Sequence, residues 1–334
     1  MYSIIRIAIY FVVITSALSA IFMLGFHSLS TDMLATEQAV TGEVCDQNGV
    51  TYFINNQEMI DNNISKKLFI FGASNTRIGF KPAVIKQTLT EFDVYNFGFS
   101  GGNISEAILA LDVIKVSKKE ITYLGAYAVL GISFGVVVDD AIRWGANASP
   151  LENAMARVGL FAGGDGLIVN EYSKSLKNIY IKAGLPFRCI NKRLFQAKTK
   201  LKLSVKELLG TLLKQRDRSS LEVIDNWKKS YEAKPLAYSN EIQNIKLFVS
   251  KAQKMKMVPI VIDLPLEKIV YENSRHDKIY RGLLKEFLKT NFFDYINMRN
   301  SKIKSEFSDL VHPTRATSVL WSEWLAKEIL KRES

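Results

Sequence analysis

The sequence predicts an α/β protein whose parallel sheet carries helices on both faces. Three observations predict it. Apolar runs at Leu68–Phe71, Val94–Phe97, Ile121–Leu130 and Met257–Asp263 are near-continuous, as strands buried between two layers are. Segments with helical spacing lie between them, and strand–helix alternation argues for a parallel sheet. Small and polar residues follow the first two runs, Gly72-Ala73-Ser74-Asn75 and Asn96-Phe97-Gly98, where open α/β sheets place their ligands.

In chain order, Ile7 to Phe26 comes first, 20 residues without a charge. As a helix it spans roughly 30 Å, a bilayer core. Arg6 precedes it while Asp32 and Glu37 follow, which predicts a cytoplasmic N-terminus and an exported remainder. A cleavable signal peptide with Ser19-Ala20 at its small-residue site is the other reading. The run's continuation through Ile21–Leu24 favours an uncleaved anchor in the cell (inner) membrane, with the rest periplasmic or extracellular. The predicted organisation is therefore an anchor over 1–27, a polar stalk over 28–65 and an α/β domain over 66–334.

Within that domain the pattern predicts helices over Pro82–Thr90 and Ile104–Val116, then a break. Residues 140–235 read as a basic insertion, helical in parts (Lys202–Gln215, Leu221–Ala233) and without clear strands. The alternation resumes with an amphipathic helix over Asn240–Lys256, its apolar face Ile242, Ile245, Phe248 and Val249. A helix over Asp277–Thr290, a short strand over Phe293–Ile296 and a helix over Thr317–Lys331 complete it. Trp321 and Trp324 sit at helical spacing and are read as core.

The net charge of +11 is concentrated. Residues 141–235 hold 18 Lys/Arg against 8 Asp/Glu. Such a segment is either a set of solvated helix faces or a surface for an anionic partner, phospholipid or glycan. Nucleic acid is not expected: the segment has no ordered aromatic or helix-turn-helix pattern, and an exported domain rarely meets it. Cys45 and Cys189 form no CxxC or Cys/His pattern, so no metal or other cofactor is expected. In an oxidising compartment their number allows one disulfide.

Ser74 stands at a strand end, and it becomes a nucleophile if a base and an orienting acid reach it. Among three histidines, His27 flanks the apolar segment and His276 sits among charged residues and reads as exposed. His312 lies in Asp309-Leu310-Val311-His312-Pro313, between the last strand and the last helix. Asp309, three residues earlier, is spaced to hold the far ring nitrogen. Pro313 keeps His312 extended. Gly98, Gly101 and Gly102 allow backbone N–H groups to come close to a substrate, and the Ser74 amide is a second donor for a developing oxyanion. No GxGxxG or GKS/GKT pattern is completed, which argues against nucleotides.

These blocks, Gly72-Ala73-Ser74-Asn75, then Asn96 to Gly101, then Asp309 to His312, resemble the SGNH/GDSL hydrolase superfamily. The resemblance implies a flavodoxin-like three-layer α/β/α fold over about Lys66 to Lys331. It implies Ser74 as nucleophile, His312 and Asp309 as base and acid, and Gly101 as oxyanion glycine. The superfamily's third block offers an asparagine where this chain reads Leu130-Gly131-Ile132-Ser133-Phe134, which leaves either Ser133 as a weaker donor or an oxyanion hole of backbone groups alone. Asn75, Arg77, Gly98 and Asn103 are the substrate-binding candidates. With the anchor and the Gly-x-Ser-x-x-Arg block, the chain resembles the branch of the D-alanyl-lipoteichoic acid transfer protein and the alginate-acetylation SGNH-like proteins. That branch implies acylation or deacylation of an extracytoplasmic glycan or teichoic-acid-like polymer beside a membrane-bound O-acyltransferase.

Overall fold

The structure is a computed structural model, and it describes residues 10, 11, 13–15, 65–98, 102–116, 123–137, 160–163, 166–169 and 239–334. Its centre is a five-stranded sheet, all parallel: β1 (Lys66–Gly72), β2 (Phe92–Gly98), β3 (Tyr127–Ile132), β6 (Val258–Asp263) and β7 (Asp294–Asn297). The order is β2-β1-β3-β6-β7. Taken in chain order this is 2-1-3-4-5, the doubly wound arrangement in which the crevice beyond β1 and β3 is the switch point. The separate antiparallel hairpin of β4 (Leu160–Gly163) and β5 (Gly166–Val169) lies inside the predicted insertion.

Alternation along the strands divides the core. Phe69, Phe71, Ala128 and Leu130 point to one face, where α3 (Ile104–Val116), α4 (Ser239–Lys254) and α6 (Arg275–Thr290) cover them. Leu68, Ile70, Val129, Ile260 and Ile262 point to the other, against α2 (Pro82–Thr88) and α7 (Arg315–Glu333). Burial on both faces explains why these strands read as unbroken apolar runs. Two short helices join them, α1 (Ser74–Gly79) and α5 (Lys268–Asn273). On α7 the stripe Ser318, Trp321, Ser322, Leu325 and Ile329 is buried, while Leu320 is exposed and Trp324 half-buried. Pro259 is tolerated in β6 for a local reason. Val258 N–H donates towards β3, so the nitrogen of the next residue faces β7, which begins to pair only at Ile260.

Several expectations are corrected. The third strand starts at Tyr127 rather than Ile121, because Leu124 and Gly125 form a turn with Gly125 at φ +76°. The insertion contains a hairpin where no strand was expected; its Gly163-Gly164-Asp165-Gly166 link is two-residue hairpin chemistry. His276 is 2% exposed rather than on the surface. Ser274 caps α6 through the Asp277 amide, so the helix starts at Arg275 and turns His276 and Asp277 inwards. Of the predicted membrane segment over 7–26, residues 10, 11 and 13–15 are helical with exposed side chains, and the remainder lies outside the described residues. Among the described residues no helix is long and apolar enough to cross a membrane. The stalk, Cys45, Cys189 and most of the basic insertion also lie outside them.

Beneath the ends of β6 and β7 sits a buried ionic cluster. Arg299 Nε lies 3.0 Å from Asp263 Oδ2, and its Nη1 lies 2.8 Å from Asp277 Oδ1. Tyr280 donates to Asp263 at 3.0 Å, and the Tyr271 and Tyr280 rings flank the guanidinium. Burial pushes the Asp263 carboxyl up to about 6, with Arg299 pulling the other way. Folding therefore favours protonated Asp263. Its contribution to stability is complete below the ordinary value of 3.8 and is lost as pH rises through about 6. Chemical denaturation across pH 4 to 6 checks this: Asp263→Asn should make the decline of stability with pH shallower than in the parent protein.

Candidate active site

Ser74 opens α1, immediately past the end of β1. What seats this helix is a row of glycines. Gly72 of β1 is in register with Gly98 of β2 and Gly131 of β3. A Cβ on Gly98 would stand 2.7 Å from the Arg77 backbone nitrogen, and one on Gly131 would stand 2.4 Å from Thr76 Oγ1. Gly72 also has φ +143°. Only glycine lets α1 lie down on three strand ends at once.

Asn96, 1% exposed on β2, then holds the helix. Its Nδ2 donates to the carbonyls of Phe80 (2.7 Å), Thr76 and Arg77 (3.3 Å each), and its Oδ1 accepts from Gly98 N–H. These include carbonyls that a short helix leaves without internal partners. In the sequence Asn96 lies in the predicted strand Val94–Phe97 and opens the Asn96–Gly101 block, with no role assigned to its side chain. A polar side chain at a buried strand position was the available signal.

His312 reaches Ser74 from a turn between β7 and α7. Its Nε2 lies 2.7 Å from Ser74 Oγ, and its Nδ1 lies 2.6 Å from Asp309 Oδ2. With Asp309 accepting from Nδ1–H, Nε2 is left to accept the Ser74 hydroxyl proton. Asp309 serves the turn as well. Its Oδ1 accepts from the His312 amide at 2.9 Å. The turn is closed by Ser308 N–H on His312 O (2.8 Å) and by pairing of Phe307 with Pro313. Leu310 adopts φ +75°, costly for a branched side chain, and its carbonyl is held by Glu267 N–H at 3.0 Å. Asp309 is about half exposed and His312 about a quarter.

The remaining candidates fall out as follows. Asn75 is buried and donates to Ser133 Oγ at 3.2 Å, while its Oδ1 accepts from the Thr76 amide. Ser133 thus lies beneath the residue next to Ser74, and accepting this bond leaves its own proton to donate. Asn103 is 1% exposed and caps α3: its Oδ1 accepts from Glu106 N–H, and the Glu106 carboxylate accepts from Asn103 N–H. Its side chain is a helix cap rather than an open substrate contact. Gly98 packs against Arg77, whose guanidinium burial pushes to lower pKa. Gly101 lies outside the described residues. Glu241, which no pattern singled out, accepts from Ile104 and Ser105 N–H and from the Ser105 hydroxyl. The chain returning from the insertion therefore clamps the helix that follows the glycine turn. Among the described residues no group of His, Cys, Asp and Glu is arranged to hold a metal ion.

No family model matches the chain, and no curated protein matches it. Solved structures similar to it include a member of the lipolytic protein G-D-S-L family from Veillonella parvula, 11% identical over 80% of this chain and 98% of that one, TM-score 0.41. Another is a GDSL-like lipase from Bacteroides thetaiotaomicron, 13% identical over 84% of this chain and 99% of that one, TM-score 0.39.

The Asn96 clamp has a measurable weight. Asn96→Ala leaves three buried carbonyls and the Gly98 amide without this partner, and should lower unfolding free energy by about 2–3 kcal/mol in denaturant titration.

Proposed function

We propose that the protein is a serine-dependent acyl-ester enzyme of the SGNH kind. The observation that carries the reading is the continuous Ser74–His312–Asp309 hydrogen-bond relay, with contacts of 2.7 and 2.6 Å. A hydroxyl aligned on a neutral imidazole nitrogen, with a carboxylate behind the ring, is the arrangement that activates serine.

Ser74 Oγ attacks the ester carbonyl as His312 Nε2 takes its proton. Asp309 keeps the ring in the right tautomer and stabilises the imidazolium. The Ser74 amide, Gly101 and the Ser133 hydroxyl, the last oriented by Asn75, are the proposed donors to the oxyanion. When the C–O bond breaks, His312 returns its proton to the departing alkoxide, leaving acyl-Ser74. A second hydroxyl, from water or an acceptor sugar, is deprotonated by His312 and attacks this ester. The same proton then returns to Ser74 Oγ.

We propose further that the acceptor is an exported or cell-surface polysaccharide, which makes the chemistry O-acyl transfer. The supporting features are the apolar segment over 7–26 with Arg6 before it, and the Gly72-x-Ser74-x-x-Arg77 block. In this reading the segment anchors the domain on the outer side of the cell membrane, and a membrane-bound O-acyltransferase supplies the acyl group. A carbohydrate esterase uses the same relay with water as acceptor, and a non-catalytic polymer-binding scaffold uses none of it.

Hydrolysis of p-nitrophenyl acetate, with and without acceptor sugar, tests these readings together. Ser74→Ala and His312→Ala should each lower turnover by about a thousandfold or more, and Asp309→Asn by on the order of a hundredfold or more. A fluorophosphonate should label Ser74. A rate that rises with added sugar, with acyl-sugar formed, marks transfer; release of acetate alone marks the esterase. Full activity in folded Ser74→Ala removes the mechanism.

A further inference from the structure

The turn that follows β2 carries Gly101, the proposed oxyanion glycine. Gly98, Gly101 and Gly102 bring no side chains to select one backbone shape, so the turn is set by what holds its two ends. One end is Gly98, in register with Gly72. The other runs through Asn103 into α3. A helix leaves its first amides without internal partners, and in α3 side chains take them. Asn103 N–H donates to the Glu106 carboxylate at 3.1 Å, and Glu106 N–H donates to Asn103 Oδ1 at 3.0 Å. Ile104 and Ser105 N–H both donate to Glu241 Oε2, at 3.1 and 3.0 Å.

Glu241 is not local to this turn. It lies in the first turn of α4, 136 residues beyond Ser105, and is 4% exposed. Its Oε1 accepts from the Ser105 hydroxyl and from Asn244 Nδ2, the latter at 3.0 Å. Asn244 Nδ2 also donates to Ser105 Oγ at 2.9 Å. A carboxylate that collects these donors at the positive end of a helix is held by charge-assisted bonds. The helix that carries it is itself fixed against α3. Lys251 Nζ meets both Asp112 oxygens at 2.6 Å, and Ile245 and Phe248 share one core with Ile108 and Leu111. The α3–α4 interface therefore dictates where the far end of the turn lies.

We propose that Glu241 is a positioning residue for the oxyanion turn. It acts through Ile104 and Ser105 and not on the substrate. By fixing those two residues, it holds the Gly101 N–H where the oxyanion of an ester attacked by Ser74 develops. The inference rests on the proposed serine chemistry and adds a requirement to it: the chain returning from residues 140–235 must be seated on α3 before the oxyanion hole is formed. The requirement is steep, because an oxyanion donor acts only at hydrogen-bond distance and alignment.

The full chain is assayed with p-nitrophenyl acetate and with its thionoester, in which sulfur replaces the carbonyl oxygen and accepts hydrogen bonds poorly. Glu241→Ala should lower kcat for the ester by roughly tenfold to a hundredfold, less than outright loss of a donor, with KM nearly unchanged. The thionoester gains little from the hole and should slow far less, so the ester-to-thionoester ratio should fall about tenfold. Loss of folded protein lowers both rates alike and leaves that ratio in place. Glu241→Gln keeps an oxygen for the two amides and should recover most of the ratio. Should the alanine variant fail to fold, Glu241→Asp is read instead; its carboxylate is one methylene short, and the ratio should fall in smaller degree. A ratio equal to the parent's in the variant read overturns the positioning role and leaves the nucleophile standing. If the parent neither turns over ester nor takes a fluorophosphonate at Ser74, the serine reading falls first, and Glu241 is left as a cap of α3.

Discussion

The structure depends on how closely α1 can approach the ends of three strands. A helix normally keeps its distance from a sheet because side chains from both fill the space. Here Gly72, Gly98 and Gly131, aligned across β2, β1 and β3, remove those side chains where α1 begins. Thr76 then sits on the strand ends, Asn96 collects the helix carbonyls, and Ser74 is left facing the crevice. The other end of α1 repeats the device, with Gly79 letting Trp321 of α7 come against it. Since α7 follows the His312 turn, one short helix sets the positions of both Ser74 and His312.

The acid is organised differently. Asp309 is open to solvent, so its attraction to the imidazole is screened. Orientation comes instead from the turn around it. One carboxylate oxygen holds the His312 amide and the other holds the ring, so the backbone and the side chain of His312 are fixed by one group. The strained Leu310 backbone is held from outside by Glu267, whose segment is in turn braced by the Tyr271 hydroxyl on the Leu266 amide. Tyr271 rests on Arg299, which links the turn to the buried ionic cluster below β6.

Much of this was legible in the sequence, and the reasons differ by residue. The central strands announced themselves because burial on two faces leaves only apolar residues. Ser74, Asp309 and His312 were legible because histidine is scarce here and the acid–base spacing fits a single turn. Other features depend on tertiary contact. Ile121–Leu130 reads as one strand because an apolar run does not reveal the Leu124-Gly125 turn inside it. His276 reads as exposed because its neighbours are charged, while Ser274 sets the phase of α6 and Arg299 neutralises Asp277. Asn103 reads as a ligand in a glycine-rich turn, yet its pairing with Glu106 makes it a cap. Glu241 carried no local signal, since its partners lie 136 and 137 residues away.

Ser74 and His312 are 238 residues apart in the chain. The relay closes only when α7 docks on α1. A ribosome-bound chain therefore carries Ser74 without its imidazole partner until 238 further residues have been made, through the stages when partly folded segments are exposed to other molecules. The pairing of serine with imidazole thus waits on long-range packing and has no local precursor in the chain.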